Sequence, residues 1–156
     1  MNRTQRDVVF RRALADYRLG RLRESYRGFR CLVDEGSNEP KHLSYCGLLM
    51  AAAEGKLREG RALCERALTL DFYDPEVHLN LSQVHLRGGQ QEHAVQVLLR
   101  GIRVIPRDPR LIREISRLNP RSAPVLSFLE RTNPVNKYLG KARARLSAIL
   151  PAHGGH

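Results

Sequence analysis

The six residues GRLRES at positions 20–25 return as GKLREG at positions 55–60, 35 residues further along the chain. A third copy, GQQEHA at positions 89–94, follows after another 34 residues and keeps the opening glycine. Each copy has a small residue five positions after that glycine. A motif that returns three times at nearly constant spacing indicates an architecture of repeated units, each of which packs on its neighbours.

A second set of markers has the same spacing as the glycines. Proline follows an acidic residue in Glu39-Pro40, Asp74-Pro75 and Asp108-Pro109, which are 35 and 34 residues apart. Aspartate accepts hydrogen bonds from the free N–H groups at a helix start, and proline is tolerated at the first helical position because it has no N–H to leave unpaired. The three pairs therefore predict helix starts, with Asp74 and Asp108 as N-caps.

Apolar residues between these markers recur at helical spacing. In the third copy, Val84 and Leu86 fit a first helix, and Leu98 and Ile102 fit a second. The glycines at positions 20, 55 and 89 lie between the two patterns, where a turn with positive φ favours a residue without a Cβ. Each period therefore predicts a helix, a turn and a second helix.

A period of about 34 residues built in this way resembles the tetratricopeptide repeat. In the third copy, residues 75–108, Leu81 and Ser82 stand at the Leu-Gly of the family pattern, and Leu98 and Pro106 at its aromatic and Pro. The second copy, residues 41–74, follows the pattern with Gly60 in place of the usual Ala. The first copy matches only if its turn is one residue short. The resemblance covers about residues 6–108 and implies an all-α, right-handed superhelix of antiparallel helix pairs.

The sequence after the third copy predicts one more helix of the repeat, then a non-helical segment that covers it, and then a capping helix. We expect residues 1–118 to hold three helix pairs and the first helix of a fourth. Residues 119–150 should form a non-helical cover segment and, from Asn133-Pro134 onward, an amphipathic capping helix. Such a helix covers the core that stacked repeats expose at their end. Residues 151–156, rich in glycine, are expected to be disordered.

The composition restricts the functional classes. The chain has 156 residues and a net charge of +11, which is compatible with an acidic partner. Its length suffices for a core without disulfides, so Cys31, Cys46 and Cys64 are interpreted as reduced thiols that pack as small hydrophobic residues. No apolar run approaches the ~20 residues of a membrane span, and no signal peptide is recognisable. We expect a cytoplasmic protein.

No motif points to catalysis or to a cofactor. Nucleophile elbows, phosphate-binding loops, HExxH and calcium-loop patterns are not found. His78 and His85 share a helix face, but zinc usually takes three or four ligands, and we expect both rings to pack in the repeat core. The sequence therefore predicts a protein that is not an enzyme, with no cofactor and no metal.

Protein binding is the function that the resemblance implies. In a helix-pair solenoid the first helices line the concave side, which suits a peptide or a partner helix. The candidate groove residues share positions on that side of the first helices: Phe10, Leu14, Tyr17, Arg18, Tyr45, Leu49, Leu79, Asn80, Gln83, Arg87, Arg110, Arg113 and Arg117. Some of them, notably Tyr17, Tyr45 and Leu49, could instead pack against the neighbouring repeat. The arginines would pair with acidic groups of the partner.

One subclass of tetratricopeptide domains is excluded by its residues. Domains that clamp the terminal carboxylate of heat-shock chaperones use Lys, Asn and Arg at fixed positions of the first helices. The matching positions here hold Phe10, Leu14, Cys46, Glu76 and Asn80. A register shifted by one residue restores at most one clamp member, and Glu76 would repel the carboxylate.

Three alternatives to a general adaptor stay open. Residues 107–156 contain ten Lys or Arg against three Asp or Glu, and Lys137, Lys141 and Arg145 form a basic stripe on the last predicted helix. That stripe could contact nucleic acid or an anionic membrane, or it could simply be the solvated face of a cap. A secretion-type chaperone is the second alternative. The third is a homodimer through the outer face of the first copy, around Val8, Val9 and Phe10, where no preceding helix covers the repeat.

Overall fold

A computed structural model describes residues 1–118, which form seven α-helices packed as antiparallel pairs. The helices are α1 (Arg3–Arg18), α2 (Leu22–Asp34), α3 (Pro40–Glu54), α4 (Leu57–Leu70), α5 (Pro75–Arg87), α6 (Gln91–Val104) and α7 (Pro109–Leu118). The predicted all-α class and helix pairs are confirmed. The predicted cover segment and capping helix (119–150) and tail (151–156) lie outside the described residues.

The acidic residue and proline of each marker pair begin a helix as predicted. Asp74 accepts a hydrogen bond from the backbone N–H of Glu76 at 2.9 Å. Asp108 accepts one from the backbone N–H of Arg110, also at 2.9 Å. Glu39 makes no side-chain cap hydrogen bond, so Pro40 starts α3 without this help. Two of the three starts are thus stabilised by an aspartate cap.

The turns within the helix pairs use the glycines of the repeat. Gly20, Gly55 and Gly89 have φ of 73°, 70° and 70°, which is the left-handed region that favours glycine. The prediction that the first turn is one residue short is wrong. Three residues separate α1 from α2, as they separate α5 from α6. A further glycine at positive φ, Gly36, lies between α2 and α3 and was not predicted.

Helix α3 is the centre of the core. It packs against α2, α4 and α5, and Leu43, Cys46, Leu48 and Leu49 are each at most 1% exposed. Residues 42–49 of α3 are all buried, so this part of the helix has no face to offer to solvent. The side of α3 on which we expect a binding surface is therefore covered by the neighbouring helices.

Helices α3 and α4 approach each other unusually closely. A Cβ added at Gly47 would overlap the carbonyl oxygen of Gly60, and one added at Gly60 would overlap that of Gly47. The Cys64 thiol then reaches the backbone carbonyl of Ser44 at 3.3 Å. Gly60 and Cys64 stand where the family pattern has a larger pair, and this close crossing is the physical reason for the substitution.

The three cysteines differ in their environments. Cys46 and Cys64 are buried in the core, as predicted, and burial raises the pKa of the Cys46 thiol to about 12. Both therefore stay protonated and unreactive. Cys31 is exposed on α2, so the prediction that it packs as a small hydrophobic residue is wrong.

Among the helices of residues 1–118, none combines the length and the apolar content that crossing a bilayer requires.

Candidate functional site

Contacts between side chains connect the first helix of each pair with the first helix of the next. The rings of Tyr17 on α1 and Tyr45 on α3 meet edge to face, with centroids 5.2 Å apart. The Tyr45 hydroxyl then donates to the carboxylate of Glu76 on α5. We call the surface along α1, α3, α5 and α7 that carries these contacts the inner face.

A second pair of contacts connects α3 with α5 and α5 with α7. The Asn80 side-chain amide donates to the Ser44 hydroxyl at 3.1 Å. The Gln83 amide donates to a carboxylate oxygen of Glu114 at 2.6 Å. The inner face is therefore held together by hydrogen bonds between side chains as well as by apolar packing beneath it.

The tyrosines of the inner face are kept neutral by their surroundings. Burial raises the pKa of Tyr45, and the hydrogen bond to Glu76 raises it further. Burial also raises the pKa of Tyr17, while the nearby Arg87 guanidinium opposes this rise. Both hydroxyls thus stay protonated at neutral pH, and that of Tyr45 donates to Glu76.

Three of the predicted groove residues are buried and cannot contact a partner. Leu49 is 0% exposed, Tyr45 3% and Asn80 5%. Leu49 and Tyr45 pack in the core beside Phe29, which stacks on the Tyr45 ring at 4.9 Å. These three positions are corrected to structural roles, because neighbouring helices cover α3 and the first turns of α5.

The other apolar candidates are half-buried and pack on the core. Phe10 contacts the rings of Phe29 and His42, with centroids 5.8 and 4.9 Å away. Leu14 packs on the same cluster, and Leu79 packs on the cluster between α6 and α7. These apolar side chains, which were predicted to contact a partner in the groove, therefore form the edge of the core. The accessible part of the inner face is polar.

The arginine candidates remain exposed. Arg18, Arg87, Arg110, Arg113 and Arg117 are all accessible to solvent. Arg117 forms hydrogen bonds to Glu114, one of them at 3.1 Å, and Arg110 pairs with Asp108 at 3.0 Å. Within residues 1–118 the side chains of Arg18 and Arg113 form no hydrogen bond or ion pair, and Arg87 reaches only Gln83.

Two acidic residues of the inner face were not predicted to belong to the site. The sequence predicts that Glu76 would repel a carboxylate, and it gives Glu114 no role. Glu114 lies four residues after Arg110 and three before Arg117, so helical spacing alone would have placed it on the same face. Both carboxylates are already engaged, Glu76 by Tyr45 and Glu114 by Gln83 and Arg117.

The histidines considered for metal binding lie in the core. His78 is 0% exposed, and its Nε2 lies 2.9 Å from the carbonyl oxygen of Phe72. His85 is 7% exposed and contacts Gln90 at 2.9 Å. Among residues 1–118 no group of three or more His, Cys, Asp or Glu is arranged to hold a metal ion.

The remaining candidates lie near the two ends of the chain. The basic stripe of Lys137, Lys141 and Arg145 lies outside the described residues. At the outer face of the first pair, Val8 is 53% exposed, whereas Val9 and Phe10 pack on the core. An apolar dimer contact there would therefore have Val8 as its main accessible side chain.

Solved structures with the same arrangement of helices contain tetratricopeptide repeats. The first tetratricopeptide domain of Spaghetti (RPAP3), bound to the HSP90 peptide SRMEEVD, has a TM-score of 0.62 and 12% identity, and the match covers 76% of this chain and 95% of that one. The chain has a tetratricopeptide-like fold. No protein-family model and no curated protein matches its sequence.

Two further structures extend this comparison. The Yersinia enterocolitica type III secretion chaperone SycD, in complex with a peptide of the translocator YopD, has a TM-score of 0.60 and 14% identity over 93% of this chain and 97% of that one. The Thermobaculum terrenum O-GlcNAc transferase mutant K341M has a TM-score of 0.69 and 21% identity over 94% of this chain. The tetratricopeptide-like chain spans only 27% of that transferase, so this likeness concerns the fold alone.

Proposed function

We propose that this protein is a non-enzymatic binding module that holds an acidic peptide or helix of a partner protein on its inner face. The observation that carries the proposal is the charge of that face. Of its five exposed arginines, Arg110 and Arg117 pair with Asp108 and Glu114, whereas Arg18, Arg87 and Arg113 form no ion pair within residues 1–118. The arginines that remain are available to an incoming carboxylate.

The chemistry of arginine favours specific hydrogen bonds to the carboxylates of a peptide over a non-specific attraction between charges. A guanidinium presents its donors in a planar fork that matches a carboxylate in two parallel hydrogen bonds. Arg110, Arg113 and Arg117 are three and four residues apart on α7, so they share one helix face. The charge of Arg87 on α5 acts on Tyr17 and that of Arg18 on α1 acts on Tyr45, which places both arginines near the tyrosines of the inner face.

No catalytic step is assigned to this surface. Its tyrosines are protonated donors, and the hydrogen bonds of Glu76 and Glu114 serve contacts between helices. A general base needs a free acceptor within hydrogen-bond reach of substrate. These groups are better suited to hold the repeats in place than to move a proton.

The two peptide complexes described above support binding of an extended partner segment to this type of fold. The HSP90 peptide SRMEEVD contains three acidic residues. Since the clamp positions of this chain hold Phe10, Leu14, Cys46, Glu76 and Asn80, we propose recognition of acidic side chains along a segment rather than of a terminal carboxylate.

Peptide display on the full chain tests the proposal. Random dodecapeptides should yield ligands enriched in Asp and Glu. Replacing Arg87 and Arg113 by Gln should remove most of this selection, while Arg27→Gln with Arg58→Gln on the second helices should leave it intact. Ligands without acidic enrichment, or equal selection by both variants, would contradict the proposal.

A secretion-type chaperone is a narrower version of the same function. It is favoured by the comparison with SycD, in which the match covers nearly the whole of both chains. Co-expression with exported proteins encoded beside this gene should then give a complex that elutes together in size exclusion. The Arg87→Gln, Arg113→Gln variant should lose that complex, and retention of it would exclude the inner face as the binding surface.

A further inference from the structure

A cavity of about 430 Å³ opens between α4 and α6, away from the inner face. Both helices pack on α5, which lies beneath the opening. Leu81 of α5 and Val97 of α6 are 3% and 6% exposed and belong to one core cluster, on which Leu68 of α4 also packs. We call this cavity, with its apolar floor, the outer groove.

The rim of the outer groove carries two arginines and one glutamate within the described residues. Arg61 on α4 and Arg100 on α6 both line it. Glu65 is the carboxylate that lines it within the described residues, and its oxygen lies 3.7 Å from the Arg61 guanidinium. Arg100 forms no ion pair or hydrogen bond through its side chain with residues 1–118. The rim therefore offers a cation for an anionic group.

Flat side chains form two walls of the groove. The imidazole rings of His85 and His93 stack, with centroids 5.5 Å apart and an angle of 15° between their planes. Phe72 is 39% exposed at the other side and is held against the ring of His78, whose centroid is 5.2 Å away. Planar walls above an apolar floor favour a planar aromatic ligand.

We infer that the outer groove binds a small aromatic carboxylate, with its ring on the apolar floor and its carboxylate toward Arg61 and Arg100. The volume lies within the range of roughly 300–1,000 Å³ that is usual for small-molecule pockets. An apolar lining with a few convergent polar groups is also typical of such sites. The site is separate from the inner face, so neither proposal depends on the other.

Titration of the full chain with 2-naphthoate, followed by ¹H–¹⁵N correlation spectra, tests this inference. Saturable shifts should appear at the amides of Thr69, His93, Gln96 and Arg100. The neutral analogue 2-naphthamide should bind at least about tenfold more weakly, because it cannot form charge-assisted hydrogen bonds with the arginines.

Two variants and a matched control define the site. Arg100→Gln should weaken binding of 2-naphthoate about tenfold, and Gln96→Trp should block the groove while it keeps both arginines. Arg103→Gln, on the same helix but outside the groove, should bind as the wild type does. Circular dichroism verifies that each variant is folded. Equal affinity for the two naphthalene compounds, unchanged binding by Gln96→Trp, or shifts confined to the inner face would overturn the inference.

Discussion

The hydroxyl of Tyr45 on α3 donates a hydrogen bond to the carboxylate of Glu76 on α5, and this bond joins the second repeat to the third. Tyr45 is buried, and its ring also stacks on Phe29 and meets Tyr17 edge to face. A residue predicted to contact a partner is instead a structural connection from α3 to three other helices.

Replacing Tyr45 by Phe keeps the ring and removes this hydrogen bond. The Glu76 carboxylate, which is half-buried, then loses its donor, and we expect the free energy of unfolding to fall by about 1–3 kcal/mol. Urea unfolding followed by circular dichroism measures the change. Tyr73→Phe is the control, since Tyr73 is 72% exposed. Equal stability of the two variants would show that the bond contributes nothing.

The crossing of α3 and α4 should not tolerate a side chain at Gly60. The added methyl group would overlap the carbonyl oxygen of Gly47, and relief requires the two helices to separate. We expect Gly60→Ala to destabilise the protein by about 1–3 kcal/mol. Gly88→Ala, where a Cβ meets only ordinary contacts of 3.4 Å or more, should be neutral or stabilising. A thermal midpoint for Gly60→Ala at or above the wild-type value would be inconsistent with this close packing.

Acidification should destabilise the first two repeats through His42. Its Nδ1 lies 2.7 Å from the Ser37 hydroxyl in a buried position, and burial lowers the pKa of His42 below its ordinary 6.5, against the opposing effect of Glu39 and Asp7. The unfolded chain therefore takes up this proton at a higher pH than the folded one.

The contribution of neutral His42 to the free energy of unfolding is fully present above pH 6.5. It is lost as the pH falls below 6.5 toward the lower pKa of the folded state. Denaturant unfolding between pH 7.5 and pH 5.5 should show a smaller decrease in stability for His42→Gln than for the wild type. Identical decreases would mean that protonation of His42 is not coupled to unfolding.

Removal of the last predicted helix tests its assignment as a cap. Burial of an apolar side chain contributes roughly 1.5–3 kcal/mol, so a helix that buries Leu139, Leu146 and Ile149 would supply a large part of a total of roughly 5–15 kcal/mol. We expect a fragment of residues 1–132 to aggregate or to melt at a lower temperature. A soluble fragment with the wild-type thermal midpoint would favour a basic tail over a cap.

Much of the fold is predictable from the sequence because its signals are local. The three glycine turns and the caps at Asp74 and Asp108 need only the conformational preferences of single residues. The helix pairs follow from apolar spacing. Each of these predictions is confirmed in residues 1–118.

The candidate site was harder to predict because it depends on contacts between helices. Helix α3 has no distinct polar face, so its periodicity does not distinguish a groove residue such as Leu49 from a core residue. The engagement of Glu76 by Tyr45 joins residues 31 positions apart, and no local pattern reports it. The five arginines are exposed, as is usual for a long charged side chain, which is seldom buried without a partner.

The most direct test of the central claim is a charge exchange between the inner face and a selected acidic peptide, measured by fluorescence anisotropy on the full chain. Arg87→Glu with Arg113→Glu should weaken binding at least about tenfold. A peptide with Lys in place of its acidic residues should regain affinity for that variant and lose it for the wild type. Wild-type affinity in the folded double variant, or no recovery with the Lys peptide, would contradict recognition of acidic partners by this row of arginines.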